Sequence, residues 1–151
     1  NYVSNEDIVY REWMEDEIVI FSNQRLPQKA KAEDLLSYKW VCRNPESNTR
    51  LIFKENLEKA NFPDCDTFNV TSEVTSATTI VQTVLHSDKN ATPTVSIVSR
   101  NAIESLLKSE ALFESRIGNQ KMLRKLYIAY RKDRKHDAFI ENVVDYLLKI
   151  K

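Results

Sequence analysis

The sequence predicts an α/β domain: a single small sheet flanked by helices in three layers, with a leading helix in front and a helical pair behind. Three observations carry that expectation. The β-branched runs at residues 17–21 and 94–98 have the length and composition of buried strands. Apolar residues recur at helical spacing in 103–107, 123–130 and 140–147. No internal repeat, low-complexity tract or linker interrupts the order, so 151 residues suit one domain. The division expected is a leading helix over 1–15, an α/β core over 16–115 and a basic helical extension over 116–151.

Residues 4–14 begin with a Ser4-x-x-Asp7 capping arrangement and place Ile8, Val9 and Trp13 near one face, which predicts the leading helix. After the strand at 17–21 comes a Ser22-Asn23 turn. Pro27 with Ala30, Leu35 and Leu36 then predicts a helix across 29–39. Trp40-Val41-Cys42 and Leu51-Ile52-Phe53 read as extended, joined by the turn-forming Asn44-Pro45-Glu46-Ser47-Asn48. A short helix at 56–60 is broken by Asn61-Phe62-Pro63-Asp64. Residues 74–85 are rich in Thr and Val and predict a strand, as do 94–98. A helix opens at Ser99 or Asn101, with Ile103, Leu106 and Leu107 on one face, and runs to Gly118, the only glycine. Two more helices follow, one on Leu123, Leu126, Tyr127 and Tyr130, the other on Ile140, Val143, Val144 and Leu147.

The chain carries 22 basic and 22 acidic side chains, so net charge implies no bulk polyanion partner. The charges are nonetheless segregated. Glu6, Asp7, Glu12, Glu15, Asp16 and Glu17 oppose Arg11 alone at the start, while Arg116, Lys121, Arg124, Lys125, Arg131, Lys132, Arg134 and Lys135 oppose Asp133 alone later. No apolar run approaches the ~18 residues of a membrane span, and no basic-then-apolar secretion signal opens the chain. It begins without Met, as expected of a piece of a longer protein. Cys42 and Cys65 have no metal-ligand spacing and read as reduced thiols. The sequons at Asn69 and Asn90 argue mildly for secretion instead.

Ile18-Val19-Ile20-Phe21-Ser22-Asn23 running toward Leu35-Leu36 resembles the first strand, turn and helix of a BRCT domain. Val95-Ser96-Ile97-Val98-Ser99 with Ala102–Leu107 is similar to that family's last strand and helix, and Glu73-Val74-Thr75 to its central strand. The resemblance covers 16–115 and implies a parallel four-stranded sheet. It departs from the family where a Trp of the last helix and several glycines are missing. The function it implies is a protein-interaction module of a nuclear, chromatin-associated protein in silencing, replication or repair, docking a partner peptide or phosphopeptide.

In that reading Ser22 supplies a hydroxyl, Asn23 a backbone amide and Lys89 a cation to a phosphate, against the plainer reading of a strand-to-helix turn. Trp13, on a peripheral helix, is the expected partner contact. The alternative is a nucleic-acid-binding domain whose basic face, Arg124, Lys125, Arg131, Lys132, Arg134 and Lys135, follows Gly118; a solvated face is the plainer account. Enzyme signals are weak. His86 and His136 lack motif partners, a glycine-rich phosphate loop is excluded, and only a Cys-His pair built in the fold from Cys42 or Cys65 stays open. No cofactor, metal, membrane or small-molecule substrate is expected.

Overall fold

The computed structural model describes residues 8–131 together with Val143, Tyr146 and Leu147. The chain forms two compact units, Asn1–Asp16 with Arg124–Lys151, and Glu17–Leu123.

In chain order the elements are β1 (Ile8–Ser22), β2 (Lys29–Ala30), α1 (Ala32–Ser37), β3 (Lys39–Arg43), α2 (Asn48–Lys59), β4 (Asn69–Val74), α3 (Ala77–Leu85), β5 (Thr94–Ser99), α4 (Glu104–Lys108), β6 (Phe113–Ile117) and β7 (Met122–Arg131). Short 3-10 turns precede β4 and α4. The strands run β2-β6-β1-β5-β3-β4, and β7 also pairs with β1. This is a mixed sheet. β3 is parallel to both β4 and β5, whereas β1 is antiparallel to β5 and β6.

Alternation along the strands builds two cores, one on each face of the sheet. Ile18, Ile20, Trp40, Cys42, Val95 and Ile97 pack with Phe53 and Leu57 of α2. Val19, Phe21, Val41 and Val98 pack with Ile80 and Val84 of α3. The topology explains this division. The chain leaves β3 through α2 to reach β4 on one side, then returns through α3 to β5 on the other. Right-handed crossovers in opposite directions put the two helices on opposite faces. Trp40 anchors the α2 side, its ring 4.9 Å from Phe68 and 5.5 Å from Phe53, and its indole donates to Leu35 O at 2.8 Å.

Within the smaller unit, the Arg124 guanidinium lies 2.8 Å from the Asp16 carboxylate, whose side chain is 2% exposed, and Lys125 faces Glu12 at 3.7 Å. The Trp13 indole donates to Leu147 O at 2.6 Å.

The α/β class stands, but the small BRCT-like sheet does not: the strand at 17–21 lies between two antiparallel neighbours rather than inside a parallel four-stranded sheet. Six further expectations are corrected. The leading helix is replaced from Ile8 onward by strand, because β7 offers β1 a long edge to pair with. Residues 51–53 lie in α2, capped by Ser47, and 77–85 form α3 rather than a strand. The helix expected across 29–39 contracts to α1, and the one expected to reach Gly118 stops at Lys108. The first of the closing helices is β7, in which Met122, Arg124, Leu126, Ile128 and Tyr130 alternate with more exposed neighbours. The second falls largely outside the described residues, although Val143, Tyr146 and Leu147 are helical. Gly118 instead turns the chain after β6 with φ of +53°, a left-handed conformation that side chains rarely adopt.

Candidate anion-binding site at paired helix N termini

The carboxyl ends of adjacent parallel strands are where open α/β sheets place ligands, above all where successive crossovers diverge to opposite faces. β3 and β4 supply that position. Arg43 ends β3 opposite Val74, the end of β4, and a helix begins shortly after each. The 12 residues of α2 and the nine of α3 therefore both open at this end of the sheet.

Each N terminus is capped by a serine. The Ser47 hydroxyl accepts from the Arg50 amide and the Ser76 hydroxyl from the Thr79 amide, both at 3.4 Å. Neither first turn contains an acidic residue. The positive ends of the two helix dipoles are thus left uncompensated by their own first-turn side chains, the electrostatic setting that attracts a carboxylate or phosphate.

Arg50 ties the strands to this end. Its guanidinium donates to Arg43 O at 2.7 Å and lies 3.5 Å from Glu73 and 3.6 Å from Asp66. Arg43 Nε and Asn44 Oδ1 are buried without a hydrogen-bond partner, leaving one donor and one acceptor unspent in the β3–α2 turn. Asn44 Nδ2 meanwhile donates to Glu46 at 2.9 Å, holding that exposed carboxyl below its ordinary range. A cavity of about 270 Å³ opens beside the turn, lined by Pro45, Arg50, Leu51, Lys54 and Asp66.

The thiols play a different part. Burial pushes Cys42 up to about 11 and raises Cys65 as well, so both are protonated, buried side chains beneath Arg50. Asp64, Cys65 and Asp66 cluster within reach of one another, but Lys54 sits 3.6 and 3.4 Å from the two carboxylates and Arg50 3.6 Å from Asp66, so two cations already balance the two charges.

Ser22 is fully buried at the end of β1, and its hydroxyl accepts from the Gln24 amide at 3.2 Å. The Asn23 side-chain Nδ2 donates to Leu85 O at 3.2 Å and Ser87 O at 2.7 Å, and the Gln24 side-chain Nε2 donates to Ala91 O at 2.9 Å, so the turn fastens the segment after α3. Lys89 is exposed on that segment. Trp13 is half-buried. Arg124 and Lys125 lie on strand β7 facing carboxylates, Arg131 ends that strand, and Lys132, Arg134 and Lys135 fall outside the described residues, as does His136. Sequence reasoning missed Arg43, Asn44, Ser47, Asn48 and Arg50 because it read 44–48 as a turn between strands. The available signal was Ser47 followed by Phe53, Asn56, Leu57 and Ala60 at helical spacing.

The model of the LysR substrate-binding domain matches residues 1–150. The chain belongs to that family. No curated protein matches it. Among solved structures, the regulatory domain of Synechocystis PCC6803 CcmR in complex with 2-PG is similar at 18% identity and a TM-score of 0.74, covering 99% of this chain and 70% of that one. The regulatory domain of MexT, a transcriptional activator in Pseudomonas aeruginosa, gives 13% and 0.69, covering 99% and 71%. The effector-binding domain of QuiR in complex with shikimate gives 19% and 0.65, covering 99% and 68%.

Membership of the LysR family overturns the BRCT resemblance, and with it the nuclear, chromatin-associated interaction module, the silencing and repair context and the nuclear location, all of which rested on that resemblance. The expectation of a peptide or phosphopeptide partner and no small-molecule substrate is corrected as well, since CcmR and QuiR hold 2-PG and shikimate. The nucleic-acid alternative loses its first basic helix, which is β7.

Proposed function

We propose that this chain is the effector-binding domain of a LysR-type transcription regulator, and that it binds a small carboxylate or phosphate without turning it over. One observation carries the ligand class: two serine-capped helix N termini open at the carboxyl ends of adjacent parallel strands, with no acidic residue in either first turn. The first-turn backbone amides of Asn48, Ala77 and Thr78 would donate to the anion, those of Arg50 and Thr79 being held by the serine caps. The liganded relatives support a small-molecule effector.

Asn48→Glu tests the reading, because Asn48 is exposed in the first turn of α2. A carboxylate there favours the helix dipole, adding about 0.3–1 kcal/mol of stability, while repelling an anionic ligand. The full-length protein is titrated calorimetrically with a panel of small carboxylates and phosphate esters. The expected result is a saturating ligand whose affinity falls about tenfold or more in a variant that unfolds no earlier than the parent. A ligand bound equally well by Asn48→Glu and by Thr78→Glu would overturn the site.

A further inference from the structure

A cavity in the Glu17–Leu123 unit lies away from the α2 and α3 N termini, beside β6 and the segment that leads into β2. It measures about 670 Å³, within the range of small-molecule pockets. Leu26, Leu107, Leu112 and Phe113 give it an apolar floor, and Arg25, Lys29, Arg100 and Arg116 give it four cations against Glu110 and Glu114.

The four cations are not equally committed. Arg116 donates to Glu17 at 2.7 and 3.0 Å and lies 3.1 Å from Glu114, and Arg100 donates to Glu114 at 2.9 Å. These two are spent on carboxylates. Arg25 instead places its guanidinium carbon over the Phe113 ring, 4.8 Å from the centroid, and its ion partner Glu110 is 3.7 Å away, with both side chains more than two-thirds exposed. Such a pair contributes little and is readily exchanged. Lys29 is exposed at the same rim. A guanidinium held against an aromatic ring, beside a second cation and above leucines, fits a flat anion with an apolar body, whose carboxylate would take Glu110's place on Arg25.

We propose that this cleft is a second ligand site, distinct from the helix N termini, that takes a small aromatic carboxylate. Equilibrium dialysis of radiolabelled benzoate against the full-length protein tests it, with inorganic phosphate as competitor. Saturable binding is expected, weakened about tenfold or more in the double variant Arg25→Gln/Lys29→Gln. Glu110→Gln is expected to tighten it severalfold, because the competing carboxylate is gone; a purely structural role for Glu110 gives no such gain. No saturable binding overturns the proposal. So does binding that survives the double variant but is lost in Asn48→Glu, which would assign benzoate to the helix N termini. Phosphate displacing benzoate at equal concentration would overturn the aromatic class, since the apolar floor would then contribute nothing.

Discussion

Glu17 and Arg116 form a two-pronged ion pair at 2.7 and 3.0 Å, with side chains 16% and 28% exposed. The hydrogen bond from Arg116 holds the Glu17 carboxyl below its ordinary 4.5, overcoming the opposing effect of burial. A folded-state value below the unfolded one stabilises the protein above about pH 4.5, and that contribution is lost as pH falls through the folded value. Glu17→Gln should therefore cost about 1 kcal/mol at neutral pH, allowing for solvent screening. Urea unfolding of both proteins should show the gap closing under acid conditions; a gap independent of pH would sink the account. Cys42 gives a second outcome at this scale. With its thiol pushed up to about 11 and buried, it should react with a thiol reagent only as fast as the protein opens. Prompt labelling in native buffer would contradict its placement.

Elements were legible in the sequence where one local pattern admits one reading. The strands at 17–21 and 94–98 fall inside β1 and β5, because compact β-branched runs between polar turns have few alternatives. α3 was not legible by propensity. Its Thr-Thr-Ile-Val-Gln-Thr-Val-Leu favours strand in isolation, yet Ser76 caps it and Ile80 and Val84, one turn apart, seat it on β3 and β5. β7 shows the converse error. Leu123, Leu126, Tyr127 and Tyr130 satisfy helical spacing, but Met122, Arg124, Leu126, Ile128 and Tyr130 satisfy period two, and pairing with β1 decided between them. The candidate site was illegible for the same reason. Its parts, Ser47 and Ser76, are 29 residues apart and lie at the same end of the sheet only because β3 and β4 pair in parallel. Each cap can still be tested by itself. Ser47→Ala and Ser76→Ala should each lower stability by about 1 kcal/mol in chemical denaturation, and changes under a few tenths would mean the hydroxyls do not hold the helix ends.

At the scale of the sheet, the strand order makes two cores out of one layer of strands. Trp40 and Cys42 face α2 while Val41 between them faces α3, so adjacent residues of β3 serve opposite sides. Side chains on the two faces touch the same strands but not each other, which predicts weak energetic coupling between them. Leu57→Ala on the α2 side should cost about 2–5 kcal/mol and Ile80→Val on the α3 side about 0.5–1.5. The double variant should equal their sum within about 0.5 kcal/mol. The ligand adds the decisive contrast. An anion spanning the N termini of α2 and α3 joins the two layers directly, so in its presence the same cycle should depart from additivity, while the parent gains about 2.7 kcal/mol at a ligand concentration near 100 times Kd. Additivity that persists at saturating ligand would mean that the anion engages one helix only, and would reduce the site to the end of α2.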